Sequence, residues 1–173
     1  MPRALEQVGK VFQSESQIDI VYGNGFKLID EKLHPILVDK FHPVKYVFGC
    51  GNFLQQSIFY RLQSLHDKEI IFNSNNRTCW DAEFLIMCHK KGMRFLRLNK
   101  VLSVFRIHSD SISGSNRLVN EYETEQSKLS SDILRPIPFN GFIKFLAFYF
   151  GKSRALIRIL QVRIHRKDFN LQK

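Results

Sequence analysis

The sequence predicts an α/β fold. Segments with helical spacing of apolar residues alternate with short β-branched runs over the first two-thirds of the chain, without any internal repeat, and that alternation is the mark of mixed layers. The chain has 173 residues, of which 44% are apolar, enough for an ordinary domain core and too many for a disordered segment. Sixteen Phe residues give that core an aromatic bias.

Residues 2–12 read as a helix. Pro2 suits a first helical position, and Leu5, Val8, Val11 and Phe12 recur on one face. Ser14-Glu15-Ser16 ends it. Residues 18–22 read as a strand closed by a Gly23-Asn24-Gly25 turn, and 26–30 as a second strand pairing back. His34-Pro35 and His42-Pro43 bracket a loop-like stretch, because proline disfavours helix at the residue before it. Gly49-Cys50-Gly51-Asn52 is a further turn. Residues 55–65 have helical spacing in Ile58, Phe59, Leu62 and Leu65.

Asn73-Ser74-Asn75-Asn76 is a polar loop. Residues 81–91 form the next helix, with Asp81 as its cap and Gly92 in the C-terminal stop position. Residues 93–98 and 101–107 read as strands joined by Asn99-Lys100, and 109–115 as loop. Residues 115–138 form a linker or surface helix, and 139–173 an amphipathic basic helical tail.

Lys and Arg exceed Asp and Glu by 10, which favours anionic partners such as phosphates, lipid head groups or nucleic acid. The excess is concentrated late. From residue 142 onward eight Lys and Arg face Asp168 alone. Cys50, Cys79 and Cys88 are odd in number and form no Cys-x-x-Cys pair, which argues against a disulfide framework or a zinc site and for reduced thiols in the cytoplasm. The opening residues lack the apolar core of a signal peptide. The apolar stretch 139–150 is shorter than the roughly 20 residues a spanning helix needs.

Candidate chemistry lies at Thr78-Cys79-Trp80-Asp81-Ala82-Glu83 and at Arg106-Ile107-His108-Ser109-Asp110-Ser111-Ile112-Ser113. The plain reading of Asp81 is a helix cap, and of Glu83 a dipole-favoured acid in the first turn. The functional reading is a carboxylate that takes a proton from an attacking hydroxyl. His108 alone reads as a solvated histidine, and Gln55-Gln56-Ser57-Ile58-Phe59-Tyr60-Arg61 as the polar start of an amphipathic helix.

The order of these motifs resembles the second half of the catalytic domain of inverting family-2 glycosyltransferases. That family has an acidic motif at the mouth of an apolar helix closed by Gly, then a strand pair, then an Arg-x-His loop with Ser beyond. The resemblance covers residues 1–114 and implies the acceptor-side part of a GT-A domain, a mixed sheet flanked by helices. By the same resemblance Asp81 is the catalytic base, and Gln55, Gln56 and Glu83 lie on the acceptor side. Arg106 and His108 border the donor diphosphate, with His108 as a metal contact. A divalent metal, Mg or Mn, is the expected cofactor. Trp80 stands where the family often has Glu. The family's Asp-x-Asp occurs nowhere in the 173 residues, and the nucleotide-binding half that would precede residue 2 has no counterpart here.

The expected function is therefore transfer of a sugar from a nucleotide-sugar to a saccharide or lipid-linked acceptor by a chain that is truncated and inactive alone, whether a fragment or one half of a split enzyme whose second chain supplies the missing half. The alternative is a non-catalytic peripheral membrane or partner-binding module on the same scaffold. In the tail, Leu156, Ile157, Leu160 and Ile164 make one stripe while Arg154, Arg158, His165 and Arg166 lie elsewhere. That pattern fits an interfacial helix at an anionic membrane, the inner face of the cytoplasmic membrane, and equally a core-docking helix with a solvated basic face. RNA ranks last among partners, since no nucleic-acid motif accompanies the charge.

Overall fold

Strand β1 (Ile20–Ile29) organises the molecule. In the computed structural model, which describes residues 1, 3–47, 52–108, 118–134 and 149, residues 20–26 of β1 are all buried. Strand β2 (Lys32–Ile36) pairs antiparallel with its second half and β3 (Ile58–Tyr60) antiparallel with its start, so the two share one edge. Strand β4 (Phe95–Arg106) runs parallel along the other edge. The result is a four-stranded mixed sheet in an α/β fold.

The pleat of β1 divides the core. Val21 points to helix α1 (Ala4–Ser14) and packs with Ala4, Val8 and Leu102. Ile20 points the other way and packs with Ile70, Phe84, Cys88 and Met93, which puts helix α4 (Trp80–Lys90) on the opposite face. Tyr22, on the same side as Ile20, packs with Val38 and Leu54. Helix, sheet and helix form three layers, as the alternating periods predict. Short helices α2 (Pro43–Val47) and α3 (Leu62–Asp67) flank the sheet, and α5 (Val119–Leu134) packs on α2.

Five local expectations are corrected. Gly23-Asn24-Gly25 is no turn; it lies inside β1. A Cβ at Gly23 would come within 2.7 Å of Leu102 Cδ1 and 2.8 Å of the Lys100 carbonyl, and one at Gly25 would overlap Leu54 and the Ser103 carbonyl. These glycines let β4 and the loop before β3 approach the backbone of β1. Residues 26–30 accordingly continue β1, and the true turn is Asp30-Glu31. Both have positive φ, 46° and 62°, as a two-residue hairpin requires. The His34-Pro35 stretch is strand β2, whose outer edge tolerates a proline without an N–H.

The helix expected over 55–65 is instead a 3-10 turn (Gln55–Ser57), β3 and α3 in succession. Pairing of Ile58, Phe59 and Tyr60 with Tyr22, Val21 and Ile20 overrides their helical spacing. The two strands expected over 93–107 are one strand, and Asn99-Lys100 marks a bulge rather than a connection, where the register with β1 slips from Gly23–Leu98 to Asn24–Val101. The polar stretch after residue 115 contains the surface helix α5. The Cys50 turn, the Ser109, Ser111 and Ser113 loop and the basic stretch 150–173 of the tail lie outside the described residues.

A buried polar network pins the bulge. Asn24, 3% exposed, accepts from Val38 N–H at 3.0 Å and donates to Asn99 Oδ1 at 3.2 Å. The Ser57 hydroxyl donates to the Asn24 carbonyl at 3.1 Å and lies 2.6 Å from that of Ser103. Each buried polar side chain of this network thereby has a partner.

Candidate active site at the mouth of helix α4

Helix α4 begins at Trp80, with Cys79 as its cap residue, so Asp81 is not the cap. The Asn76 side chain holds the approach to the helix: its carbonyl oxygen accepts the N–H groups of Cys79 at 3.0 Å and Thr78 at 3.2 Å, both just before the first turn. The far end is as predicted. Gly92 has φ +71°, and its N–H returns to the His89 carbonyl, closing the helix.

Asp81 is half-buried and accepts a hydrogen bond on Oδ1 from its neighbour Ala82 N–H at 2.8 Å. Burial raises its carboxyl above the ordinary carboxylate range, and the backbone N–H groups of Ala82 and Asp81 only partly offset this. Around it stand three tyrosines. Burial pushes the hydroxyls of Tyr46, Tyr60 and Tyr122 up, and the Asp81 charge adds to the rise of each. Tyr46 of α2 and Tyr122 of α5 are hydrogen-bonded to each other, so α5 is tied across this side of the helix mouth. Below Asp81 the wall is aromatic: Phe84 meets Tyr60 edge-on at 5.3 Å and stacks with Phe72 at 3.7 Å.

Glu83 meets a different environment. Two residues on, it lies about 200° further around the helix. Its carboxylate accepts from the Asn73 amide at 3.0 and 3.2 Å and from the Asn76 amide at 2.7 Å. Asn76, only 5% exposed, thus fixes the helix start and Glu83 together. This side opens into a cleft of about 310 Å³, lined by Asn73, Asn75, Asn76 and Glu83 on one wall and by Glu125, Lys128, Leu129 and Asp132 of α5 on the other.

The remaining predicted residues are placed elsewhere. Gln55 is half-buried and Gln56 exposed on the 3-10 turn that Ser57 anchors to β1. Arg61 is structural: its guanidinium donates to the carbonyls of Phe12, Glu15 and Ile18 and lies 5.0 Å over the Phe12 ring. Arg106 and His108 are exposed at the far end of β4. Arg106 pairs with Leu28 and Tyr60 with Ile20, rows about 26 Å apart along β1. No hydrogen bond or ion pair joins Asp81 to Arg106 or His108 among the described residues. Nor is any group of three or more His, Cys, Asp or Glu side chains there disposed to hold a metal ion.

Sequence reasoning passed over the residues that surround the two acids. Asn73, Asn75 and Asn76 read as loop, Tyr46 carried no signal, and Tyr122, Glu125, Lys128 and Asp132 read as surface. The one available cue was the asparagine cluster five residues before an acidic helix start. Compared with known protein families, curated proteins and solved structures, the chain finds no match in any of the three.

Proposed function

We propose that this chain is the acceptor-side part of an inverting, family-2-like glycosyltransferase of GT-A type, with Asp81 as the general base. The observation that carries the proposal is the environment of Asp81. A rigid helix mouth holds a single carboxylate whose burial raises its proton affinity, which is what a base needs in order to take a proton from a sugar hydroxyl. Deprotonation sharpens the hydroxyl oxygen as nucleophile. It attacks the anomeric carbon of the donor sugar, and the nucleoside diphosphate leaves with the bonding electron pair. Glu83, in its amide cradle on the other side of the helix mouth, orients the acceptor, with Gln55 and Gln56 further along the acceptor side.

Arg106 and His108 serve the donor diphosphate in this proposal. In this proposal His108 also contacts the Mg or Mn ion, while a second chain supplies the nucleotide pocket and the family's Asp-x-Asp, which does not occur in the 173 residues. Acceptor and chain meet at the inner face of the cytoplasmic membrane, to which the basic tail binds. No described helix is long and apolar enough to cross a membrane.

A second reading, a non-catalytic module that binds a partner, draws on exposed apolar side chains. Leu62 and Ile71 are each 78% exposed and Phe72 51%. The two readings separate in one experiment. Tagged wild-type chain and Asp81→Asn are expressed in the native host, isolated with their bound partners, and supplied with labelled UDP-, GDP- and dTDP-sugars, manganese and the host lipid fraction. The catalytic proposal expects label transfer that falls at least about a hundredfold in Asp81→Asn. Equal transfer by both proteins removes Asp81 as base, and no transfer by either supports the binding module.

A further inference from the structure

Strand β4 ends the sheet on one side, and both of its faces are already used. Leu98 and Leu102 pack towards α1 with Val21, while Phe95 and Phe105 pack with Tyr22 on the other face. Its inner edge is paired with β1. Among the described residues no backbone hydrogen bond reaches residues 95–106 from any other element. What β4 leaves unpartnered is therefore its outer row of backbone groups, held rigidly by the packing of both faces.

Bonds at the two ends of the strand show which groups these are. The Arg94 carbonyl accepts from Ile20 N–H at 3.1 Å, and the Ile107 N–H donates to the Leu28 carbonyl at 3.0 Å. Successive residues of a strand turn their backbone groups to alternate sides, so those of Phe95 and Arg97, and of Val104 and Arg106, face away from β1. Such an edge is a template for a further strand. Its charge is of one sign. Arg94, Arg97, Lys100 and Arg106 are exposed, no acid stands between residues 93 and 107, and none of the four cations forms an ion pair among the described residues. A second copy of β4 would bring four more cations to the same edge, and like charges across a strand pair repel.

We propose that the outer edge of β4 over residues 101–106 is a strand-addition site for an extended, acidic segment of another protein chain. The segment adds a fifth strand to the four-stranded sheet. Its main chain bonds the outward groups of Val104 and Arg106, and its carboxylates meet Lys100 and Arg97. The bulge at Asn99-Lys100 ends the pairing on that side. Cations alone suit any polyanion. The row of N–H and C=O groups singles out a peptide, because neither nucleic acid nor a lipid surface offers a matching ladder. This inference uses neither Asp81 nor the acceptor-side reading and stands or falls apart from them.

The test uses the full chain, with the backbone amides of Val104 and Arg106 followed by NMR and hydrogen exchange. The probes are a hexapeptide alternating glutamate with valine, its lysine counterpart, and an oligothymidylate as a polyanion without a peptide backbone. The glutamate peptide is expected to shift both amides and slow their exchange, with the lysine peptide at least about tenfold weaker. Val104→Pro removes one outward N–H without touching a bond to β1, and should weaken the glutamate peptide at least about tenfold. Lys100→Glu, at the exposed bulge, keeps the test open should the proline variant not fold: it should narrow or reverse the preference between the two peptides. Glutamate-peptide binding that leaves both amides exchanging as before overturns the inference, since the basic tail would then be the site. Stronger protection by the oligothymidylate, a preference that Lys100→Glu does not alter, binding unchanged in a folded Val104→Pro, or no binding of the glutamate peptide each overturn it as well.

Discussion

Asp81 and Glu83 share one turn of α4 and meet opposite surroundings. Asp81 is set among Tyr46, Tyr60 and Tyr122 and is raised by burial. Glu83 opens to a cleft and rests on the amides of Asn73 and Asn76. The residue class is the same and the helix dipole acts on both. What differs is the dielectric and the partners, and it is on this difference that the proposal assigns one carboxylate to proton transfer and the other to ligand holding.

The comparison breaks most visibly at its aromatic wall. Phe84→Ala removes a ring packed between Tyr60 and Phe72 and should cost about 3–5 kcal/mol in urea unfolding, opening the Asp81 side. Asn76→Ala attacks the other side. It removes the amide that holds Glu83 and the two residues leading into the helix, and should cost about 1–3 kcal/mol, while Asn73→Ala, at an exposed site, should cost less than 1. A reversed order would mean that Asn76 does not organise the cleft. Tyr122→Phe loses the hydrogen bond to Tyr46 and should cost about 0.5–1.5 kcal/mol by the same measurement. Its effect tests whether α5 is fastened over Asp81.

The smallest effect in stability is the one with a definite sign. Burial lifts the Asp81 carboxyl above its ordinary 3.8, so the folded state holds that proton more tightly than the unfolded chain. The stability this brings is complete below pH 3.8 and is lost as pH rises through the folded-state value. Asp81→Asn has no such loss. Melting temperature followed against pH should therefore show the variant gaining on wild type from about pH 4 towards neutrality, with the difference shrinking in acid. A variant that loses ground as pH rises would place Asp81 in a stabilising ion pair instead.

The parts of this account legible in the sequence are those set by local pattern. Helix α1, the start of β1, the α4 helix with its Gly92 stop and both halves of β4 follow from apolar spacing and one glycine. Gly23 and Gly25 misled because a glycine serves a turn and a close approach equally, and the atoms that require it here, on Leu54, Leu102 and Ser103, come from far along the chain. The real hairpin at Asp30-Glu31 lacks the glycine that would announce it. Ile58, Phe59 and Tyr60 fit a helix until β1 is there to pair with them. Of the site, the two acids were visible from their place at a helix start. Their surroundings were not, because the Tyr46 to Tyr122 bond and the cleft join segments some 40 to 80 residues apart, and no local period encodes such a meeting.

Asp81 is read as a half-buried carboxylate with raised proton affinity, and a carbon-detected NMR titration of its side-chain carboxyl measures this directly. The account predicts a midpoint clearly above 3.8, with the shift reduced when Phe84→Ala opens the aromatic wall to water. A midpoint at or below 3.8 would contradict it, and would leave Asp81 as an ordinary acid at a helix mouth.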